Sequence, residues 1–231
     1  MCIRPGAKLA HLRQCANQVL LTAGKQGKAP GHVYYLAGIP DLTTKIRDGD
    51  YQEVVFMGTP TETVPILENE LLKTASMTKK LGWVPVFCTV TPMSLKDWNS
   101  PERTPYLVHH NQYADMQVLL ENTICSANHI IRAINKSNNV YTPNLHNQIV
   151  RINHSKVKHM YNRLTDGCHP SEKVAREWVK ILQRAMSEND QRKAIHHDVI
   201  AHVPLSDCCP GLPIDESESD SDCETPHRRR W

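Results

Sequence analysis

His32-Val33-Tyr34-Tyr35-Leu36-Ala37, closed by Gly38 and Pro40, is the stretch on which the fold turns. It is short, apolar and rich in strand formers, and glycine and proline end it, so it reads as a buried strand feeding a loop. Before it, Leu9, Leu12, Ala16, Val19, Leu20 and Ala23 recur at helical spacing until Gly24, which predicts a helix over about 7–23. Met1 to Arg4 read as the end of another short strand.

The same alternation continues along the chain. Glu53-Val54-Val55-Phe56-Met57 is a strand candidate, followed by a break at Gly58 to Pro60 and by Val64, Leu67, Leu71 and Ala75 at helical steps. Val84-Pro85-Val86-Phe87-Cys88-Thr89-Val90 is the next strand, and a proline-rich loop follows it to Pro105. Tyr113, Met116, Leu120, Thr123, Ala127, Ile130 and Ile134 mark one face of a long helix. Val140 and Tyr141, or residues 149–152, supply the last strand. A final helix starts at Pro170, with Val174, Trp178, Ile181 and Ala185 as its apolar stripe. Short apolar strands alternating with long helices imply an α/β domain built on a parallel sheet.

A chain of 231 residues, 40% hydrophobic and 22% charged, fits one domain plus a tail. The domain is expected over 1–190 and a disordered tail over 191–231. The acidic stretch 215–222 within that tail cannot bury enough to order itself. Its serines suit an acid-directed kinase, and Arg228-Arg229-Arg230 is a small basic patch. No run of about 18 apolar residues and no signal peptide occur, so the expectation is a cytoplasmic or nuclear protein with no membrane partner. Residues 1–214 carry 24 Lys and Arg against 18 Asp and Glu, without a basic stripe interleaved with aromatics, which argues against a nucleic-acid partner. The eight cysteines form no Cys-x-x-Cys pair, and the adjacent His109-His110 and His196-His197 lack a third ligand, so neither a metal nor another cofactor is expected.

In an open parallel sheet, reactive groups gather in loops at the carboxyl ends of the strands. Asp166-Gly167-Cys168-His169-Pro170 has that address just before a helix. An Asp that holds the Nδ1–H of a His leaves Nε2 to take a proton from a hydroxyl. The bland reading is that Asp166 and His169 only cap the helix and bond the local backbone.

Asp166-Gly167-Cys168-His169-Pro170-Ser171 resembles the last block of the SGNH or GDSL hydrolase superfamily, whose members are esterases, lipases and acetylhydrolases on a flavodoxin-like, three-layer fold. The resemblance implies His169 as general base, Asp166 as its orienter and an ester as substrate. Gly38 to Asp41 stand where the family has a Gly-x-Asn-Asp turn, so Gly38 and Asp41 correspond and Pro40 replaces the asparagine that donates to the oxyanion. Gly6, in Pro5-Gly6 before the first helix, corresponds to the family's oxyanion glycine. The strand end at 88–93 and its continuation to Asn99 are similar to versions found in mobile genetic elements.

The family's Gly-Asp-Ser block, with the nucleophile, is missing from the sequence. The resemblance therefore implies a sheet without its first strand and a domain without turnover. Three accounts stand: a start read at an internal Met1, a remnant, or a subunit completed by a separate segment. Cys2, Cys168, Ser94, Ser126 and Ser155 are the substitutes considered for the nucleophile, each with a structural role as its simpler reading. The alternative function is a non-enzymatic interaction module that meets a protein partner through an open sheet edge or the acidic tail.

Overall fold

The computed structural model describes residues 7–48, 51–56, 58–100, 112–153 and 156–201. The predicted strand at 32–37 is β1 (His32–Tyr35), and the helix before it is α1 (Leu9–Lys25). A single helical turn, α2 (Ile39–Leu42), follows β1. Next come the hairpin β2 (Thr44–Asp48) and β3 (Tyr51–Val55), then α3 (Pro60–Lys80) and β4 (Val84–Phe87). The turn α4 (Leu95–Trp98) and the long α5 (Tyr113–Ser137) lead to a second hairpin, β5 (Val150–Asn153) and β6 (Lys156–His159), and to α6 (Glu172–Ala201). No described helix is long and apolar enough to cross a membrane.

β1 and β4 pair in parallel, from His32 opposite Val84 to Tyr35 opposite Phe87. Parallel neighbours need a long crossover, and here it contains the first hairpin and α3. The core gathers around this pair: Tyr35, Phe87, Leu67, Leu71, Leu120, Ile124 and Ile131 are all buried within one cluster. The mixed α/β character is as expected, but the parallel sheet is small among the described residues.

Two strand candidates lie elsewhere than in that sheet. Residues 53–55 of the run at 53–57 lie in β3, paired antiparallel to β2 with Ile46 opposite Glu53, and Met57 lies outside the described residues. Only Gly49 and Asp50 separate the two strands, and a two-residue connection joins antiparallel neighbours, never parallel ones. The run at 149–152 likewise enters β5, which pairs antiparallel with β6. Beside β4 lies the 140–145 segment instead, where the Thr89 N–H donates to the Pro143 carbonyl at 3.1 Å without a ladder.

Asparagine side chains satisfy backbone groups of β3, of β4 and of the chain leaving β4. Asn135 accepts from the Phe87 N–H at 3.0 Å and donates to the Phe87 carbonyl at 2.7 Å. Asn128 makes the same two bonds to Val90, at 2.6 and 2.9 Å, and Asn99 makes them to Val54 at 2.9 and 2.7 Å. All three side chains are buried, each standing in for a strand that would otherwise satisfy these backbone groups.

α6 starts two residues after Pro170, because Pro170 forms a bridge with Leu164 and the Ser171 N–H donates to the Arg163 carbonyl at 3.0 Å. Val174 and Trp178 pack on Ile149 and Leu164 beneath the second hairpin. The helix continues past 190 to Ala201. The acidic stretch of the tail lies outside the described residues.

Candidate active site

The loop from Leu164 to Pro170 is closed across its base by the Leu164–Pro170 bridge and by the Thr165 N–H donating to the His169 carbonyl at 2.7 Å. Gly167 turns the chain inside it with a φ of 82°, which a side chain would resist. The turn brings Asp166 and His169 together as expected. Asp166 Oδ2 lies 2.8 Å from His169 Nδ1, while Oδ1 accepts from the backbone N–H groups of Cys168 at 3.1 Å and His169 at 2.7 Å.

Burial works against the charge on Asp166. The bond to the His169 ring and the two backbone N–H groups outweigh it and hold the carboxyl down at about 2. An ionised carboxylate at Nδ1 fixes the proton there, so Nε2 is left as the proton acceptor. The Asp166 side chain is 12% exposed and the His169 side chain 62%, so the carboxylate is sheltered and the imidazole faces outward. The Trp98 ring, tilted 51° with its centroid 5.5 Å away, flanks the imidazole.

Because the folded state depresses the Asp166 carboxyl from its ordinary 3.8, its contribution to stability is fully present above that value and is lost as pH falls through about 2. Asp166→Asn is therefore expected to cost about 1 kcal/mol near pH 7, discounted for the solvent around His169, and the gap to wild type narrows as pH drops from about 4 towards 2. Urea melts across that range measure it. A gap independent of pH would mean that the carboxylate charge is not what holds the loop.

The loop sits against α4. Gly167 accepts from the Ser94 N–H at 2.7 Å, and Ser94 caps α4 by accepting from the Asp97 N–H at 3.2 Å. A cleft of about 420 Å³ opens beside it, lined among others by Lys96, Ser100, Tyr161, Thr165 and Asp166.

Behind the cleft lies a polar cluster that motif reading missed. The Tyr161 hydroxyl donates to Glu121 and accepts from Gln117 Nε2 at 2.6 Å. Glu121 also meets His159 Nδ1 at 3.2 Å, and the His159 and Tyr161 rings stack 8° from parallel. Gln117 and Glu121 lie one turn apart on α5, so the i,i+4 spacing was the available signal; Tyr161 had none.

The second pair, Gly38 and Asp41, lies in the loop and helical turn that follow β1. Gly38 has a φ of 131°, and a Cβ there would stand 2.4 Å from Val90 Cγ2. Asp41 receives the Leu9 N–H on both oxygens, at 2.9 and 3.1 Å, and so ties this loop to the start of α1. Burial is the largest influence on its carboxyl and raises it above the ordinary value, against the pull of the Leu9 N–H and the Lys8 charge. Pro40 falls in the first turn of α2 and has no N–H to offer. Gly6 lies outside the described residues.

No hydrogen bond joins the two pairs among the described residues, yet both border one segment. The chain leaving β4 touches Gly38 through Val90 and Gly167 through Ser94, four residues later. This is the carboxyl end of a parallel strand, the expected address for chemistry.

The considered nucleophiles fare differently. The Ser94 hydroxyl is occupied in the α4 cap, and the Ser126 hydroxyl donates to the Asn122 carbonyl on the outside of α5. Cys2 and Ser155 lie outside the described residues. Burial, with the Asp166 charge adding, pushes the Cys168 thiol up to about 11, so about one molecule in 10³ carries the thiolate at pH 8. Iodoacetamide is expected to alkylate the exposed Cys125 at least about tenfold faster than Cys168, read by mass spectrometry. Equal rates would return Cys168 as a candidate.

No protein-family model and no curated protein matches the chain. Among solved structures, a GDSL-like lipase from Bacteroides thetaiotaomicron is similar, at 17% identity and a TM-score of 0.47, over 79% of this chain and 72% of that one.

Proposed function

We propose that the chain is an SGNH-type ester hydrolase domain whose base and orienter are His169 and Asp166, and which does not turn over esters as given. The observation that carries this reading is the 2.8 Å contact between Asp166 Oδ2 and His169 Nδ1, with the ring facing outward beside a cleft that Asp166 lines. The bland alternative, a helix cap, fits less well: α6 begins only at Glu172, and the Asp166 carboxylate binds the ring as well as the turn's own N–H groups. A flavodoxin-like order adds a strand at the edge of β1 that β4 does not occupy, and β1 has no other partner among the described residues. In the complete site, His169 Nε2 would take the proton of a serine, Asp166 would hold the tautomer, and Gly6 would donate to the oxyanion while Gly38 and Asp41 shape the neighbouring loop.

The 231 residues are expected to show no hydrolysis of p-nitrophenyl acetate above that of His169→Ala, and no labelling by a serine-directed fluorophosphonate. Labelling of Ser100, which shares the cleft with Asp166, would disprove inactivity and support the hydrolase class. The in-frame genomic sequence upstream of Met1 tests the class itself. A chain extended through a Gly-Asp-Ser block should hydrolyse the ester, with a loss of about 10³ or more in His169→Ala. An extended chain that carries the block and is still indifferent to His169 would sink the reading.

A further inference from the structure

The second hairpin is charged in a way its own stability does not explain. Arg151 stands directly opposite Lys158, a like-charge cross-strand pair, with Lys156 two residues along on the same face. Nearby cations have partners: Arg163 meets Glu177 at 2.5 Å and His159 meets Glu121 at 3.2 Å. Arg151, Lys156 and Lys158 are exposed and have no carboxylate partner among the described residues. On the other face, Ile152 and Val157 oppose each other at 76% and 59% exposure. Two strands alone are marginal in water, and each strand here has an outer edge without a strand partner among the described residues.

We propose that the acidic stretch 215–222 of this chain adds to that edge as a third strand, with its carboxylates facing Arg151, Lys156 and Lys158. Glu216, Glu218, Asp220 and Asp222 alternate with Ser217, Ser219 and Ser221. This period of two places four carboxylates on one face of a strand, the same period that aligns Lys156 with Lys158. The reach suffices. From Val174, at the base of the hairpin, α6 rises about 40 Å to Ala201 at 1.5 Å per residue. Residues 202–214, extended, span about 43–47 Å, enough to return. The inference is independent of the Asp166–His169 relay.

Zero-length carbodiimide coupling of the full chain tests it, with an equal mixture of ¹⁴N and ¹⁵N chains to distinguish contacts within a chain from contacts between chains. The expected products join Lys156 or Lys158 to an acid at 216–222 of the same chain. Neutralising the stretch in the full-length protein (Glu216→Gln, Glu218→Gln, Asp220→Asn, Asp222→Asn) should remove them and speed amide exchange in β5 and β6 about fivefold or more. Salt at about 0.5 M should do the same. The neutralised chain should also bind a single-stranded oligonucleotide more tightly than the wild type, since its cations are uncovered. Mixed-isotope products, unchanged exchange, or equal oligonucleotide binding by both chains would each overturn the proposal, the first in favour of a second copy and the last in favour of nucleic acid.

Discussion

Gly167→Ala is expected to destabilise the chain by about 2–5 kcal/mol and to release the Asp166–His169 contact. Two effects add. The backbone at Gly167 has a φ of 82°, where an L side chain costs about 1–2 kcal/mol. A Cβ would also stand 2.8 Å from the Ser94 carbonyl oxygen, the Trp98 backbone nitrogen and Asp97 Cβ, and overpacking of this kind costs about 1–3 kcal/mol. Two of those three atoms are backbone, so no rotamer change relieves the clash. The loop must lift from α4, and the bond from the Ser94 N–H to the Gly167 carbonyl goes with it. Gly24→Ala is the control: it lies in α1, a Cβ there meets nothing within 4 Å, and it should be stabilising by up to about 1 kcal/mol. Urea midpoints compare the two. The Asp166–His169 contact is read separately, because Asp166→Asn should lose its pH-dependent effect in the Gly167→Ala background. If Gly167→Ala melts like wild type, the loop is not seated as described.

The elements that sequence pattern identified well are those whose burial shows in their own residues. β1, β4 and the four long helices carry apolar runs or stripes, and the Asp166–His169 pair lies within four consecutive positions, so no tertiary knowledge was needed to see it. Pattern failed where pairing partners matter. Glu53 to Val55 reads as a strand in any sheet, and only the short link to Asp48 decides that it joins a hairpin. The α5 stripe was read through Ile130, whereas the buried face also takes in Ile124, Asn128, Ile131 and Asn135. An asparagine in a helix is by default a solvent residue, and nothing local marks Asn128 and Asn135 as core. The signal is a pair spaced by seven residues inside an apolar face. Likewise, the reach of Ser94 to Gly167 joins two loops distant in sequence and could not be read from either.

Asn135→Ala should cost about 2–6 kcal/mol, because it strands both the N–H and the carbonyl of Phe87 at a fully buried position, at about 1–3 kcal/mol for each group. Geometry shows why the residue must be asparagine. Asn128 and Asn135 lie seven residues apart on α5, a rise of about 10.5 Å, and their targets Val90 and Phe87 lie three residues apart on the chain leaving β4, about 10 Å. The two rises match, so one helix presents two amides in register with one extended segment, and each amide supplies a donor and an acceptor to one residue. Asn135→Asp keeps the acceptor, loses the donor that serves the Phe87 carbonyl and buries a charge, so it should fare no better than alanine. Asn135→Leu fills the space without pairing and should also lose at least about 2 kcal/mol. That triad of substitutions separates pairing from packing: if leucine restores wild-type stability in urea melts, the site only needs volume. The segment these amides hold is the one that touches Gly38 through Val90 and Gly167 through Ser94. Loosening it by Asn128→Ala should therefore disturb the loop from Leu164 to Pro170 as well, and amide exchange at Cys168 and His169 would report it.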